Sequence, residues 1–539
     1  MDKKPLISKW LAIGIILLFV GTFSYPTFAQ DTQTSLLVSR GDWLYVGGSG
    51  PGNYTRIQDA IDNASDGDTV FVYSGIYPAE WITIDKALIL IGESKNTTIL
   101  DGQSSDNMIL LVESSDVTIR EFTLKNCKDN GMNQAIYIWG HPYVQHINIS
   151  NLIMINNDKG IFFINTSDIS ISSCDIHYND AQGIWGLYSS FINVDNCSLH
   201  NNGRYLEGTK FVSGGITIND MKEARSTYTD VTITNCNLYA NQGRSIDVEK
   251  IRNVTIHNNN ITSNLYGIHF DGIIHLNIDD NFLSMNKRWG IECFGFLPSS
   301  DVVIQRNNIS HSGEDYGGLY LQGCPDIRVV NNSFYYNDIG VFSIGSQNTS
   351  ISNNNFIANN KSIYISASSQ CVVHDNLLYH NRDAGIYIQT GSPGVTIERN
   401  IIQGGMKGIY IGGASDGSHV FFNTITDNEI GISMYFSNKH NISSNTILNS
   451  SERALFLNYS CDNVLYHNNF INCSEDPYLY YNTGPKNRWM GNYWDRPRLL
   501  PKILIGTRIY SGYYLNLKLI VFEIDWHPAQ GPYDIPGMS

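Results

Sequence analysis

Apolar and polar positions alternate in short bursts along this chain, and the bursts recur at a fixed distance. A small residue opens each one. The series reads AIYI from Ala135, GIFF from Gly160, GIWG from Gly183, GITI from Gly215 and SIDV from Ser245. It continues through GIHF from Gly267, GIEC from Gly290, GLYL from Gly318, GVFS from Gly340 and SIYI from Ser362. GIYI from Gly385, GIYI from Gly408, GISM from Gly431 and ALFL from Ala454 complete it. Nine of the thirteen steps are 22 or 23 residues, so the period is a structural unit. A second strand lies inside each period (VTI from Val231 and Val254, LNI from Leu276), and a third, shorter one follows. Three residues beyond the second strand is a ladder position. It holds Phe122, Leu152, Cys174, Cys197 and Cys236, then ten asparagines from Asn259 to Asn468.

Three short strands per period cannot bury their inner faces alone, whereas stacked parallel turns about 4.8 Å apart bury a continuous core. The pattern therefore predicts an all-β chain, a right-handed parallel β-helix of about 14 or more rungs. Asparagine suits the corners because it tolerates left-handed backbone and can bond its amide to the copy one rung away. Ile57 to Ala64, after the turn Gly50-Pro51-Gly52, reads as a short amphipathic helix covering the open N-terminal end. The expected organisation is a signal peptide over 1–29, a cap and first coils over 30–116, repeats over 117–475 and a C-terminal cap over 476–539.

Composition narrows the function classes. The chain is 16% charged with a net charge of −15, which argues against nucleic-acid binding by basic patches. The 58 asparagines sit in a periodic, aromatic-containing pattern, unlike a disordered chain. Lys3, Lys4 and Lys9 precede the apolar run Leu11 to Phe23 and the small-residue site Thr27-Phe28-Ala29. This is the pattern of a secretory signal, and it predicts a secreted, cell-surface or periplasmic protein with no stable membrane span once the signal is cut. Nine cysteines form no CxxC pair; most read as small buried hydrophobes, with Cys461 and Cys473 the candidate bridge. His141, His146, His374, His380 and His440 read as surface or turn residues, and Asp279-Asp280 as a turn.

The segment from Tyr45 through Gly50-Pro51-Gly52 to Ala64 resembles the entry of the NosD-like, or carbohydrate-binding and sugar hydrolase, β-helix proteins of the pectin-lyase-like superfamily. So do Asp66-Gly67-Asp68, Gly75-Ile76-Tyr77, Ile99-Leu100-Asp101-Gly102 and Gly491-Asn492-Tyr493-Trp494-Asp495. The resemblance implies the fold and an exported protein. For function it leaves polysaccharide lyases and hydrolases, non-catalytic relatives, and periplasmic factors that help assemble a copper enzyme. The NTD, GHG and RxK motifs of polygalacturonases and the DPHD of epimerases are absent from the sequence.

Alternation places a candidate site. In the glycine-led strand the second and fourth residues after the glycine point away from the core. Those columns put Asp247, Glu249, His269, Asp271 and Glu292 on three successive rungs, as candidate catalytic residues. Two carboxylates at that spacing can act as acid and nucleophile, and like charges so close should raise one pKa. His269 would shuttle a proton. Asp247, Glu249 and Asp271 are also a candidate Ca²⁺ set, the one cofactor suggested. Trp185, Arg225, Arg244, Tyr320, Tyr364, Tyr387 and Tyr410 are candidate contacts for a polysaccharide or surface glycan. Longer periods predict loops near 201–213, 220–229, 295–300 and 311–316 as cleft walls. The opposing reading is a solvated acidic face on a non-catalytic surface or adhesion protein.

Overall fold

The computed structural model describes residues 41–79, 81–103, 108–128, 133–203, 213–220, 229–313, 316–481, 484–511 and 516–535. The chain winds into a right-handed parallel β-helix of about 19 turns. The excess over the repeat count lies partly at the front. Trp43–Val46, Thr69–Val72, Ile89–Gly92 and Val117–Arg120 already pair in parallel, one rung to the next. Those turns lack the glycine-led motif and the asparagines, so periodicity passes over them.

In the repeats the register follows the motif. Ile246, Ile268, Ile291 and Leu319 stack in one inward row, each with at most 1% of its surface exposed. Rows of this kind run the length of the solenoid and make one core. The described helix, Ile57–Asn63, buries Ile57, Ala60 and Ile61. Near the other end an antiparallel hairpin, Lys502–Ser511 with Asn516–Asp525, departs from the parallel pattern. Among the described residues no helix is long and apolar enough to cross a membrane.

The corners work differently from expectation. The ladder asparagines do not carry the left-handed backbone; the residue before each one does. Asp280, Arg306, Asp375, Arg399 and Phe422 all have φ between 52° and 57°. That conformation disfavours most side chains, and the asparagine next door offsets it with its amide. The backbone N–H and Nδ2 of Asn376 both donate to Asn400 Oδ1, at 3.0 and 2.9 Å, and Nδ2 also donates to the Ile351 carbonyl. The series runs from Asn259 to Asn468, then through Asn492 to the buried carboxylate of Asp525.

Two further expectations are corrected. The disulfide joins Cys293 to Cys324, and Cys461 and Cys473 are free. Cys293 and Cys324 both face the core on successive turns, whereas Cys461 and Cys473 follow different strands of one turn. His440 is at a turn but is buried, not on the surface.

Candidate functional site

The second outward column runs unbroken through the sheet: Phe162, Trp185, Thr217, Asp247, His269, Glu292, Tyr320, Phe342, Tyr364, Tyr387, Tyr410. Phe162 and Trp185 stack at 4.6 Å, and rings resume at Tyr320, which stacks on Trp289 at 4.8 Å. Between these two runs the column carries no large ring. Thr217 is small, and the next three residues are polar. The lost volume opens a cleft of about 640 Å³, lined by Trp185, Thr217, Asn219 and Gln182 on one side and by Phe296 and Leu297 on another. Arg244, Asp247, Glu249, Lys250, His269 and Asp271 line it as well.

The structure brings Arg244 together with four of the five acid–base candidates, Asp247, Glu249, His269 and Glu292. Arg244 Nη1 lies 3.2 Å from Asp247 Oδ1 and 3.3 Å from Glu249 Oε1, and its Nε lies 3.3 Å from Glu292 Oε1. His269 sits among the same acids. Its Nε2 is 3.4 Å from Glu249 Oε1 and 4.0 Å from Asp247 Oδ1, and its Nδ1 is 3.3 Å from Glu292 Oε1. Asp271 stands apart from this network, accepting a hydrogen bond from the Leu297 backbone N–H at 3.2 Å.

These groups leave the solenoid core by alternation yet are not bathed in water. His269 is 2% exposed and Glu292 1%, while the Glu249 side chain keeps 30%. Burial and pairing then compete. Burial pushes His269 down, but hydrogen bonding to Glu249 and Glu292 and the charge of Asp247 outweigh it, and the imidazole ends above its ordinary range. Glu249 is held low, first by the hydrogen bond from His269 and against the opposing effect of burial. Asp271 is raised, and burial is the first cause; the charge of Glu249 adds to it, and the Leu297 N–H and His269 pull the other way. Desolvation thus takes the lead that the sequence assigns to like-charge repulsion.

The metal candidates regroup. Asp247, Glu249 and His269 offer ligand atoms within 4.8 Å of one another, and Asp271 is not among them. A nitrogen in the set suits a transition ion better than Ca²⁺. The guanidinium of Arg244 already occupies the cation's place beside Asp247 Oδ1 and Glu249 Oε1.

The aromatic candidates divide. Trp185 lines the cleft. Tyr320, Tyr364, Tyr387 and Tyr410 continue the column away from it and largely use their ring faces on one another. Phe342 and Tyr364 stack at 4.5 Å, and Tyr387 and Tyr410 at 4.3 Å. Stacked rings present edges and hydroxyls outward, not the open faces on which a sugar stacks. Arg225 lies outside the described residues, as does most of the 201–213 and 220–229 loops. Neither Phe296 nor Leu297 stands out in the sequence, although the long period from Gly290 marks their loop. Phe296 is 79% exposed at the rim.

Comparison with known proteins gives the following. A pectin methylesterase solved in complex with hexasaccharide VII shares 15% identity, covering 44% of this chain and 89% of its own, with a TM-score of 0.33. DFA-IIIase from Arthrobacter chlorophenolicus A6, solved without its lid, shares 13%, covering 68% and 94%, with a TM-score of 0.39. The A-module of the Azotobacter vinelandii mannuronan C-5 epimerase AlgE4 shares 16%, covering 83% and 100%, with a TM-score of 0.29. These likenesses assign no activity to this chain. The uncharacterized protein YwoF of Bacillus subtilis (strain 168) is 29% identical over 116 residues, 18% of this chain and 25% of that protein. The chain thus spans about a quarter of the length of the curated relative it matches. The family model described as "Right handed beta helix region" matches residues 107–283, 209–317 and 267–425, which together cover more than half of the sequence. With strand register, inward rows and ladders all in agreement, the chain belongs to the right handed beta helix family.

Proposed function

We propose that this is an exported protein that binds and processes a polysaccharide in the cleft over rungs 217 to 292. The observation that carries the reading is the pair Glu249 and Asp271. They face each other on adjacent rungs at the cleft wall. Their proton affinities are pushed in opposite directions, Glu249 down by His269 and Asp271 up by burial. Environments that drive a pair of carboxyls apart in this way assign their roles. Asp271 donates a proton to a leaving oxygen, and ionised Glu249 acts as nucleophile or base. The rung spacing of about 4.8 Å is close to the roughly 5–5.5 Å of retaining glycosidases. Arg244 and His269 hold Glu249 in place, and Trp185 and Phe296 offer apolar surface for the sugar.

The test is a panel of neutral and uronic polysaccharides incubated with the full-length chain, with and without chelator. Products are read as reducing ends and as unsaturated ends. Turnover that falls by about 10²–10⁴-fold in Asp271→Asn and in Glu249→Gln is the expected result for lost acid–base groups. Reducing ends alone identify hydrolysis; unsaturated ends identify elimination. No turnover on any polymer, with glycan binding unchanged in both variants, overturns the reading and leaves a stiff surface spacer or an assembly factor.

A further inference from the structure

On the outer side of another strand of the coil, outside the glycine-led column, two imidazoles and a carboxylate converge. Asp175 and His177 lie in the strand Asp175–His177, and His200 in the strand Ser198–His200 directly beside it. Asp175 Oδ1 is 3.2 Å from His177 Nδ1 and 3.2 Å from His200 Nε2. All three ligand atoms lie within 4.8 Å of one another. An ion bound at about 2.0–2.1 Å in tetrahedral geometry has ligand-to-ligand edges of roughly 3.3 Å, so two of the three edges are already at that length.

The surroundings fit the same use. Each histidine side chain is 13% exposed, so the ligands are sheltered but open on one side. Tyr178 packs edge-on against both rings, at 5.4 and 6.1 Å, and Tyr239 stacks on His200 at 4.5 Å. Asn201 Nδ2 lies 2.9 Å from His200 Nδ1. Rotation of that amide would offer its oxygen to an Nδ1–H and free Nε2 for an ion, the outer support usual for a ligating histidine.

We propose that Asp175, His177 and His200 form a binding site for a divalent transition-metal ion of the Zn²⁺ or Cu²⁺ class, with the remaining position open to solvent. Two nitrogens and one carboxylate select this class over Ca²⁺ or Mg²⁺. The rings are stacked 4.6 Å apart and 5° from parallel, so binding requires each to turn about Cβ–Cγ until the two ring planes cross at the ion.

The test uses the untagged, chelator-stripped full-length protein, titrated with Cu²⁺ and followed by electron paramagnetic resonance, with Zn²⁺ as competitor. The expected spectrum shows hyperfine coupling to two nitrogens at one ion per chain, displaced by Zn²⁺. This signature is specific, because the other two candidate groups among the described residues, Asp247–Glu249–His269 and His257–Asp279–Asp280, each hold a single imidazole. His177→Ala and His200→Ala should each weaken binding at least tenfold. Asp175→Asn keeps both rings and their stacking, and should also weaken it while metal-free thermal unfolding stays unchanged. A single-nitrogen spectrum, no saturable binding, or affinity unchanged in the histidine variants overturns the proposal.

Discussion

His269 and His440 are both buried in outer corners or faces of the same solenoid, and they answer burial in opposite ways. His269 stands on the charged rungs, where pairing with Glu249 and Glu292 overrides desolvation and keeps the ring protonated more readily than usual. His440 stands at a corner of the regular rungs. The Ser418 N–H donates to its Nδ1 at 3.1 Å, and Nε2 meets Ser437 Oγ at 2.7 Å. Among the described residues no acid forms an ion pair with it, and burial pushes it down to about 4 against the weaker upward pull of the Asp416 charge. The backbone frame is common to both places. Whether it stores charge or matches neutral donors and acceptors depends on which residues fill the columns. On the regular rungs His440 and the ladder asparagines are matched donor to acceptor by neutral partners, whereas the charged rungs hold like and unlike charges close together. A reactive group needs the second kind of place.

Substitutions can break this contrast, beginning with the largest effect. Arg244→Met leaves Asp247 and Glu292 buried beside a lost counter-charge and should destabilise the fold by about 3–5 kcal/mol in denaturant titration. Lys407→Gln, which removes one of the two partly exposed lysines paired with Asp383 and leaves Lys361 in place, should cost no more than about 1 kcal/mol. Equal losses would show that Arg244 is no more than a surface pair.

The two histidines should impose opposite pH dependences. The folded-state pKa of His440 lies below its unfolded value, so its stabilisation is present above about pH 6.5 and is lost as pH falls toward 4. Between pH 7 and pH 4 the wild type should lose about 3 kcal/mol more than His440→Asn, which retains an acceptor for the Ser418 N–H. The folded-state pKa of His269 lies above its unfolded value. Its stabilisation is present below about pH 6.5 and falls as pH rises through the higher folded value. Unfolding midpoints of wild type and His269→Gln should therefore converge with rising pH. Divergence there would refute the pairing.

A smaller effect is expected in the ladder. Asn376→Ala strands the Asn354 backbone N–H and the Ile351 carbonyl, and should cost about 2 kcal/mol. Turnover measured below the new melting temperature should not change, because the ladder carries no chemistry.

The solenoid is legible in the sequence because its cause is periodic. Period-2 strands at 22 or 23 residues fix the register closely enough to bring Asp247, His269 and Glu292 onto adjacent rungs. Less periodic features are harder to read. The early turns from Trp43 carry no repeated motif. The cleft depends on volume missing between Trp185 and Tyr320, and a column of letters shows identity more readily than absent volume. The stacking of Tyr387 on Tyr410 and the pairing of Cys293 with Cys324 are contacts between rungs, set by rotamers that alternation does not specify. His177 and His200 do not stand out, since neither falls on the glycine-led column.

The asparagine ladder also has a direction. Each amide from Asn259 onward donates toward the C-terminal neighbour, so the bond dipoles add head to tail. The last donors, on Asn492, meet Asp525 Oδ2, an anion at the positive end of the series. A parallel row from Asn463 through Asn487 ends on Glu523 in the same manner. The solenoid is thus vectorial. Copies of the repeat inserted upstream of Asn487 can pass the pattern along and lengthen the molecule, while the two carboxylates act as a terminator that fills the acceptor place an incoming rung would need.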